Sequence, residues 1–147
     1  MGALTQELRQ FLDTHPVGVL ATTAPDDHAR QSLVYFARED ERLLISTLAD
    51  RLKARDVRRT GWASLCVMGH EPPYPSATFS GPAEILTENI AAPTSRIAQR
   101  MTPSGAPSEP PTDEMLRAAG RIVLAITIER VSATSYIPAS TGPEPSR

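Results

Sequence analysis

The connections between the first three apolar runs constrain the fold more than any other feature of this sequence. The runs VGVLATT (17–23), RQSLVYFA (30–37) and RLLIST (42–47) have β-type composition, and they are separated only by APDDHA and REDE. Connections this short join antiparallel strands, whereas a parallel pair needs a crossover of a dozen or more residues. The first third of the chain therefore predicts an antiparallel meander.

Later β-type runs extend this pattern with few helices between them. They are WASLCVMG (62–69), SATFSGPAEILT (76–87) and RIVLAITIERV (121–131). Helical spacing near the N-terminus predicts one helix, and others are expected before Gly61, around 88–101 and at Glu114–Ala119. Six or seven strands in mostly sequential order favour an antiparallel barrel, a mainly β fold, over a doubly wound sheet.

Length and composition indicate one soluble domain. A chain of 147 residues can bury a real core, and we place that domain at 1–138, followed by a flexible C-terminal tail at 139–147. The net charge of −2 argues against a dedicated nucleic-acid binder, and no apolar run approaches the ~20 residues of a membrane span. The single cysteine, Cys66, fits a reducing compartment, so a cytoplasmic location is expected.

Most of the usual catalytic constellations are absent from the sequence. His15, His28 and His70 fall in three separate connections without metal-ligand spacing, so no metal site is predicted. Cys66 stands between apolar neighbours in SLCVM, which is more typical of a small core residue than of a nucleophile. No catalytic residue is assigned. If the protein is an enzyme, a bound cofactor is expected to carry the chemistry.

A basic helix is the least ordinary part of the chain. Five cationic side chains lie within nine residues of ISTLADRLKARDVRRTG (45–61), and Lys53 is the only lysine in the protein. On a helix, Arg51, Arg55 and Arg58 share one face with Arg59 beside them, and Lys53 points nearly the opposite way, with Val57. The simplest interpretation is a solvated arginine face. The alternative is an anion site made by Ser46, Thr47, Lys53 and the free N–H groups of the first helical turn.

The same residues carry a resemblance to a known family. The pattern VGVLATT…RQSLVYFA…RLLISTLADRLKARDVRRTGWASLCV…ATFSGPAEIL…RIVLAITIERVSATSY, strongest at 43–66, resembles the pyridoxamine 5′-phosphate oxidase-like split-barrel superfamily. It is most similar to the small actinobacterial members assigned to deazaflavin-dependent reductases. The resemblance implies a six-stranded antiparallel split β-barrel. It also implies a homodimer that binds FMN or a deazaflavin, coenzyme F420, at the subunit interface.

The resemblance also implies a set of cofactor-binding residues. The strand-end hydroxyls of Ser46 and Thr47 would contact the cofactor, and Arg51 and Lys53 would bind its phosphate. Arg30, Ser32 and Val34 on the second strand would line its ring. Tyr74 and Ser76, on a later connection, would reach the cofactor of the other subunit. The interface of the expected homodimer would bury Val34 and Phe36.

The end of the chain departs from the family pattern. Pyridoxamine phosphate oxidases carry an Arg-x-His-type element near the C-terminus, whereas this chain ends SATSYIPASTGPEPSR. Vitamin B6 oxidation is therefore not expected.

Two functions stay open from the sequence. The first is an oxidoreductase that passes hydride between the ring cofactor and an unidentified small organic substrate, and the second is a non-catalytic flavin- or deazaflavin-binding or carrier protein. F420 is preferred over FMN because Arg55, Arg58 and Arg59 could meet the polyglutamate tail of the deazaflavin coenzyme.

Overall fold

The computed structural model describes residues 4–102, 109–134 and 137. Four helices and eight strands follow the chain order. The helices are α1 (Gln6–Thr14), α2 (Leu52–Thr60), α3 (Ala91–Met101) and α4 (Asp113–Ala118). The strands are β1 (Val17–Thr23), β2 (Ala29–Tyr35), β3 (Ala37–Glu39), β4 (Arg42–Leu48), β5 (Trp62–Met68), β6 (Ser76–Leu86), β7 (Arg121–Thr127) and β8 (Arg130–Ala133).

The strands form one antiparallel sheet that curls into a split barrel. Its order is β2-β1-β5-β6-β7-β4-β3, and β8 pairs with β6 outside this path. The two edge strands, β2 and β3, are consecutive in the chain and are joined by Phe36 alone, so the two edges of the sheet lie next to each other. The mainly β split-barrel prediction is confirmed. Six strands have at least seven residues, and β3 and β8 are the short additions.

The expected strand over 121–131 is interrupted, which corrects that prediction. β7 ends at Thr127 and β8 begins at Arg130, and the N–H of Glu129 donates to the carbonyl of Ser80 at 2.9 Å. Gly81 explains the crossing, because a Cβ at this position would lie 1.8 Å from the Thr127 carbonyl oxygen. Glycine allows this close backbone approach, and the chain bends there instead of extending β7.

Two apolar clusters form the core on opposite faces of the sheet. The larger cluster fills the barrel with inward-facing strand residues, and Phe11 and Leu12 of α1 and Val57 of α2 close over it. The smaller cluster packs α3 and α4 against the outer face of β4 and β7. The helices thus cover the ends and one outer face of the barrel, and α2 covers the end near Thr22.

The flexible tail predicted at 139–147 lies outside the described residues. No helix in the described parts of the chain is long and apolar enough to span a membrane.

Candidate functional site

The inward face of β2 carries the three residues that the resemblance assigns to the ring of the cofactor. Arg30, Ser32 and Val34 alternate with outward side chains and lie opposite β1 residues of the barrel interior. Val34 is buried within the main core, whereas Arg30 and Ser32 are half-buried. The strand therefore offers two polar side chains and a wall of backbone, but the Val34 side chain is already covered by protein.

An opening in the barrel places these residues near the basic helix. β3 pairs with β4 in the register Ala37↔Leu44, and continuing that register along β2 sets Val34 level with Thr47 near the end of β4. Arg30 lies beyond this end and reaches α2 through a hydrogen bond to Asp56. β2 is hydrogen-bonded to β1 along its whole length but not to β4, so a gap lies between β2 and the end of β4. We call this gap between β2 and the β4–α2 connection the split.

The basic helix α2 begins without a side-chain cap. Its N-cap residue is Arg51, whereas Thr5 and Thr112 cap α1 and α4 with their hydroxyls. Its first-turn N–H groups therefore have no capping side chain, and they carry the positive end of the helix dipole. Gly61 ends the helix in the left-handed conformation at φ 67°, as the sequence predicts.

Lys53 differs from the arginines of the helix. Arg51, Arg55 and Arg58 are exposed, whereas Lys53 is half-buried and Val57, one turn later, is buried. No anionic or carbonyl partner holds its ammonium among the described residues. Burial, and to a lesser degree the charge of Arg51, lowers the pKa of Lys53. A partly desolvated cation without a counter-ion favours an anion beside it.

The sequence interpretation missed a buried carboxylate at the end of the split. Asp56 of α2 has a side chain only 2% exposed. One oxygen, Oδ2, accepts hydrogen bonds from Thr22 Oγ1 at 2.8 Å and from Arg30 Nε at 2.7 Å. The other, Oδ1, accepts from Arg59 at 3.2 Å. The signal was present in the sequence, because Asp56 is the one acid among five bases and precedes Val57 on the inward side of the helix.

The hydrogen bonds to Asp56 keep its carboxyl ionised. Burial by itself raises the pKa of Asp56, but hydrogen bonds from Arg30, Thr22 and Arg59 outweigh burial and hold the pKa below its ordinary value. The hydrogen bond to Asp56 in turn raises the pKa of Arg30. An Asp56 carboxyl held in this way accepts hydrogen bonds and is a poor source of protons.

The C-terminal arginines of α2 have partners within the protein. Arg59 donates to Asp56 and to the carbonyl of Thr23, and Arg58 donates to the carbonyl of Ala49 at 2.8 Å. Of the five cations, Arg51, Lys53 and Arg55 are left without a hydrogen-bond partner in the described residues.

The two strand-end hydroxyls point to opposite faces of the sheet. Thr47 is buried on the face that Leu43 and Ile45 present to the barrel interior. Ser46 is half-buried on the other face, with Leu44 of the smaller cluster. Side chains alternate along a strand, so the structure brings the side chain of Thr47, and not that of Ser46, to the inside of the barrel.

Tyr74 and Ser76 lie at the other end of the barrel within this chain. Ser76 pairs with Met68, whereas Ser64, nearer to α2, pairs with Ala21. Four residues of strand separate these levels, roughly 13 Å. Tyr74 is exposed and has a positive φ of 56°. A single chain therefore does not bring this pair together with Arg30 and Lys53.

A cavity of about 480 Å³ lies at this second end of the barrel. The rings of His15 and His70, which the sequence interpretation kept apart, approach there to 5.6 Å between centroids, and the Phe11 ring packs against His15 at a tilt of 37°. The cavity is also lined by prolines of the 69–75 connection. Among the described residues, no three His, Cys, Asp or Glu side chains form a group that could hold a metal ion.

Comparison with known proteins assigns the sequence to a family. The sequence pattern of the family described as pyridoxamine 5′-phosphate oxidase matches residues 4–135. The chain belongs to this family. No curated protein sequence is significantly similar to it. The family assignment agrees with the split barrel, and members of this family bind flavins or F420.

Solved structures of several proteins share the fold. A protein described as an F420 reductase is 23% identical, with a TM-score of 0.71 over 88% of this chain and 98% of that chain. The conserved hypothetical protein Rv2991 from Mycobacterium tuberculosis is 23% identical, with a TM-score of 0.72 over 95% and 96%. A protein from Mycobacterium smegmatis described as binding FAD and heme is 20% identical, with a TM-score of 0.73 over 99% and 76%. At these identities the likeness establishes the fold.

Proposed function

We propose that this member of the pyridoxamine 5′-phosphate oxidase family is an oxidoreductase that uses a deazaflavin, F420, or alternatively FMN, to exchange hydride with a small organic substrate. The observation that carries the proposal is Lys53, a half-buried ammonium without a partner in the described residues, at the uncapped start of α2. That combination suits a phosphate, which both cofactors carry.

Different residues around the split would bind the phosphate and the ring of such a cofactor. Lys53, Arg51 and the first-turn N–H groups of α2 would bind its phosphate, and the inward face of β2 at Arg30 and Ser32 would support its ring. When bound, the ring supplies the hydride chemistry. The protein supplies orientation, a wall that excludes water and a fixed charge pattern.

The residues of the split also keep the carrier function open as the second candidate. The buried carboxylate beside Arg30 is Asp56, which stays ionised and is bonded on both oxygens. It cannot serve as a ready proton donor to a substrate. An enzyme of this type would therefore take any proton it needs from a group other than Asp56 or from solvent, and a carrier would need no proton at all.

Spectroscopy and turnover separate these candidates. The protein is purified, titrated with F420 and with FMN, and followed by visible absorption and fluorescence; saturable binding with a Kd in the micromolar range or below is expected. The bound, reduced cofactor is then mixed with candidate organic acceptors. Reoxidation that depends on the acceptor supports the enzyme, and its absence across acceptors with tight binding supports the carrier. A chain that binds neither cofactor contradicts the proposal.

Preference for F420 rests on fewer cations than the sequence indicated. Arg58 and Arg59 are engaged by the protein, so Arg55, together with Arg51, is the side chain free to meet a polyglutamate tail. Contacts between exposed charges are weak and are screened by salt. F420 affinity is therefore expected to fall more steeply with ionic strength than FMN affinity, and identical salt slopes would favour FMN.

We also propose a homodimer that completes the site. Val34 and Phe36, the interface residues expected from the sequence, are 7% and 0% exposed within one chain and cannot form the contact surface. The opposite face of the edge strand β2 is apolar instead: Leu33 is 74% exposed and pairs with Val19, and Tyr35 lies beside them. An exposed apolar patch next to a free strand edge is typical of an interface.

Sedimentation tests the dimer with a matched control. Leu33→Glu places a charge in this patch and is expected to convert a dimer into a monomer at micromolar concentration. Met115→Glu, on α4 away from the patch, replaces a comparably exposed side chain and is expected to leave the dimer intact. The thiol of Cys66, which pairs with Val19, should react faster with an alkylating reagent in the monomer. A wild-type monomer with bound cofactor contradicts the interface site.

A further inference from the structure

Asp56 connects three elements that meet at the end of the split. It accepts hydrogen bonds from Thr22 of β1, from Arg30 of β2 and from Arg59 of its own helix. Arg30 reaches it through Nε at 2.7 Å and through a second nitrogen at 3.5 Å. The same carboxylate therefore serves the strand that faces the ring site and the helix that faces the phosphate site.

We propose that Asp56 is a positioning residue that decides which cations of the site are available to a ligand. It fixes Arg30 on the inward face of β2 and neutralises both Arg30 and Arg59. An anionic group is thereby directed to Lys53 and Arg51 at the start of α2. The inference rests on the proposed function for the identity of the ligand, and it concerns the charge pattern of the chain itself.

The geometry supports this division of charge. A guanidinium that donates to a buried carboxylate loses much of its attraction for a second anion, because opposite charges at short distance largely cancel outside the pair. Arg59 also donates to the carbonyl of Thr23 through its other terminal nitrogen. Lys53, one turn before Asp56 on the helix, has neither kind of partner among the described residues. Without Asp56, Arg30 and Arg59 would compete with Lys53 for the same phosphate.

A matched pair of variants tests the proposal. Asp56→Asn removes the charge from the buried site, and Asp13→Asn removes the charge from an exposed carboxylate that makes a similar two-pronged contact with Arg38. Both variants raise the net charge by one. The FMN Kd is expected to rise about tenfold in D56N, because Arg30 is no longer held on the inward face of β2 beside the ring, and to change by less than twofold in D13N. Equal changes in the two variants overturn the proposal.

A second readout needs no cofactor. Inorganic pyrophosphate is titrated into ¹⁵N-labelled protein, and the arginine Nε–H and backbone N–H signals are followed by NMR. In the wild type, shifts are expected at Arg51 and at the first-turn N–H groups of α2, and not at Arg30 or Arg59. In D56N, the signals of Arg30 and Arg59 are expected to shift as well, whereas D13N behaves as the wild type. Wild-type shifts at Arg30 as large as those at Arg51 contradict the proposal.

The outcomes distinguish this inference from the proposed function. If the wild-type protein binds pyrophosphate at α2 but binds neither FMN nor F420, the proposed function is wrong, whereas the proposed role of Asp56 still stands. If D56N does not fold, the pyrophosphate titration of the wild type decides by itself. Shifts at Arg51 without shifts at Arg30 and Arg59 support the proposal, and shifts of similar size at all three, or none at Arg51, overturn it.

Discussion

The two halves of α2 carry similar positive charge and differ in what that charge does. In the C-terminal half, Arg58 and Arg59 donate to main-chain carbonyls or to Asp56. In the N-terminal half, Arg51, Lys53 and Arg55 have no such partners among the described residues. The first group stabilises the fold and the second is free to bind a ligand. A count of basic residues cannot distinguish them, because the difference lies in which neighbouring elements supply acceptors.

The largest expected effect, on the free energy of unfolding, comes from removing the carboxylate that pairs with Arg30 and Arg59. Asp56→Ala is expected to lower the free energy of unfolding by about 2–4 kcal/mol, somewhat below the 3–5 kcal/mol of a wholly buried pair, because Arg30 and Arg59 keep access to water. Denaturant unfolding measures the change. Asp13→Ala, in an exposed pair with Arg38, should lower it by at most about 1 kcal/mol. Similar losses in the two variants would show that the ion pairs of Asp56 stabilise the fold no more than an exposed ion pair does.

Removing the unpaired lysine should affect binding more than stability. Lys53→Ala is expected to weaken cofactor binding by about 1.5–3 kcal/mol, the range for hydrogen bonds to charged groups. Arg58→Ala, on the other face of the same helix, should weaken cofactor binding by less than about 0.5 kcal/mol. Arg58 is exposed, and its guanidinium already donates a hydrogen bond to the carbonyl of Ala49. Calorimetric or fluorescence titration with FMN or F420 provides both values. Equal losses would favour the simple solvated arginine face.

The pH dependence of binding sharpens the assignment to Lys53. Its pKa is lowered by burial and by Arg51, and only the protonated ammonium attracts a phosphate. Affinity should therefore be full at neutral pH and should decline as pH rises, starting below the ordinary lysine pKa of about 10.4. Lys53→Arg keeps its charge throughout this range and should show a flatter profile. A wild-type profile identical to that of K53R would assign the decline to another group.

The smallest expected effect concerns the exposed arginine of the unpaired half. Arg55→Glu should weaken F420 binding by about 0.2–1 kcal/mol for the lost contact, should add a similar amount of repulsion, and should barely change FMN binding. The difference should shrink at high salt. Arg58→Glu is the matched charge reversal and should discriminate less between the cofactors. Equal losses of FMN and F420 affinity would contradict a contact between Arg55 and the polyglutamate tail of F420.

The sequence by itself determined the class of fold and the location of the basic helix. Short turns between β-type runs require antiparallel pairing, Gly61 ends α2 in the predicted place, and Lys53 lies on the more buried side as helical spacing indicates. These features follow from local rules of chain geometry, since each depends on residues close together in the sequence. Alternation along a strand also implies opposite directions for Ser46 and Thr47, but the sequence interpretation grouped them and the structure separated them.

Only the tertiary structure decided which charges and which apolar side chains are free. Asp56 meets Arg30 across 26 residues of chain and Thr22 across 34, so its effect on the site depends on how β1, β2 and α2 pack. The same packing buries Val34 and leaves Leu33 exposed, since a strand turns alternate residues to opposite faces and only the closure of the barrel determines which face is the interior. Composition records how many such groups exist, and long-range contacts assign each one a partner or leave it open to a ligand.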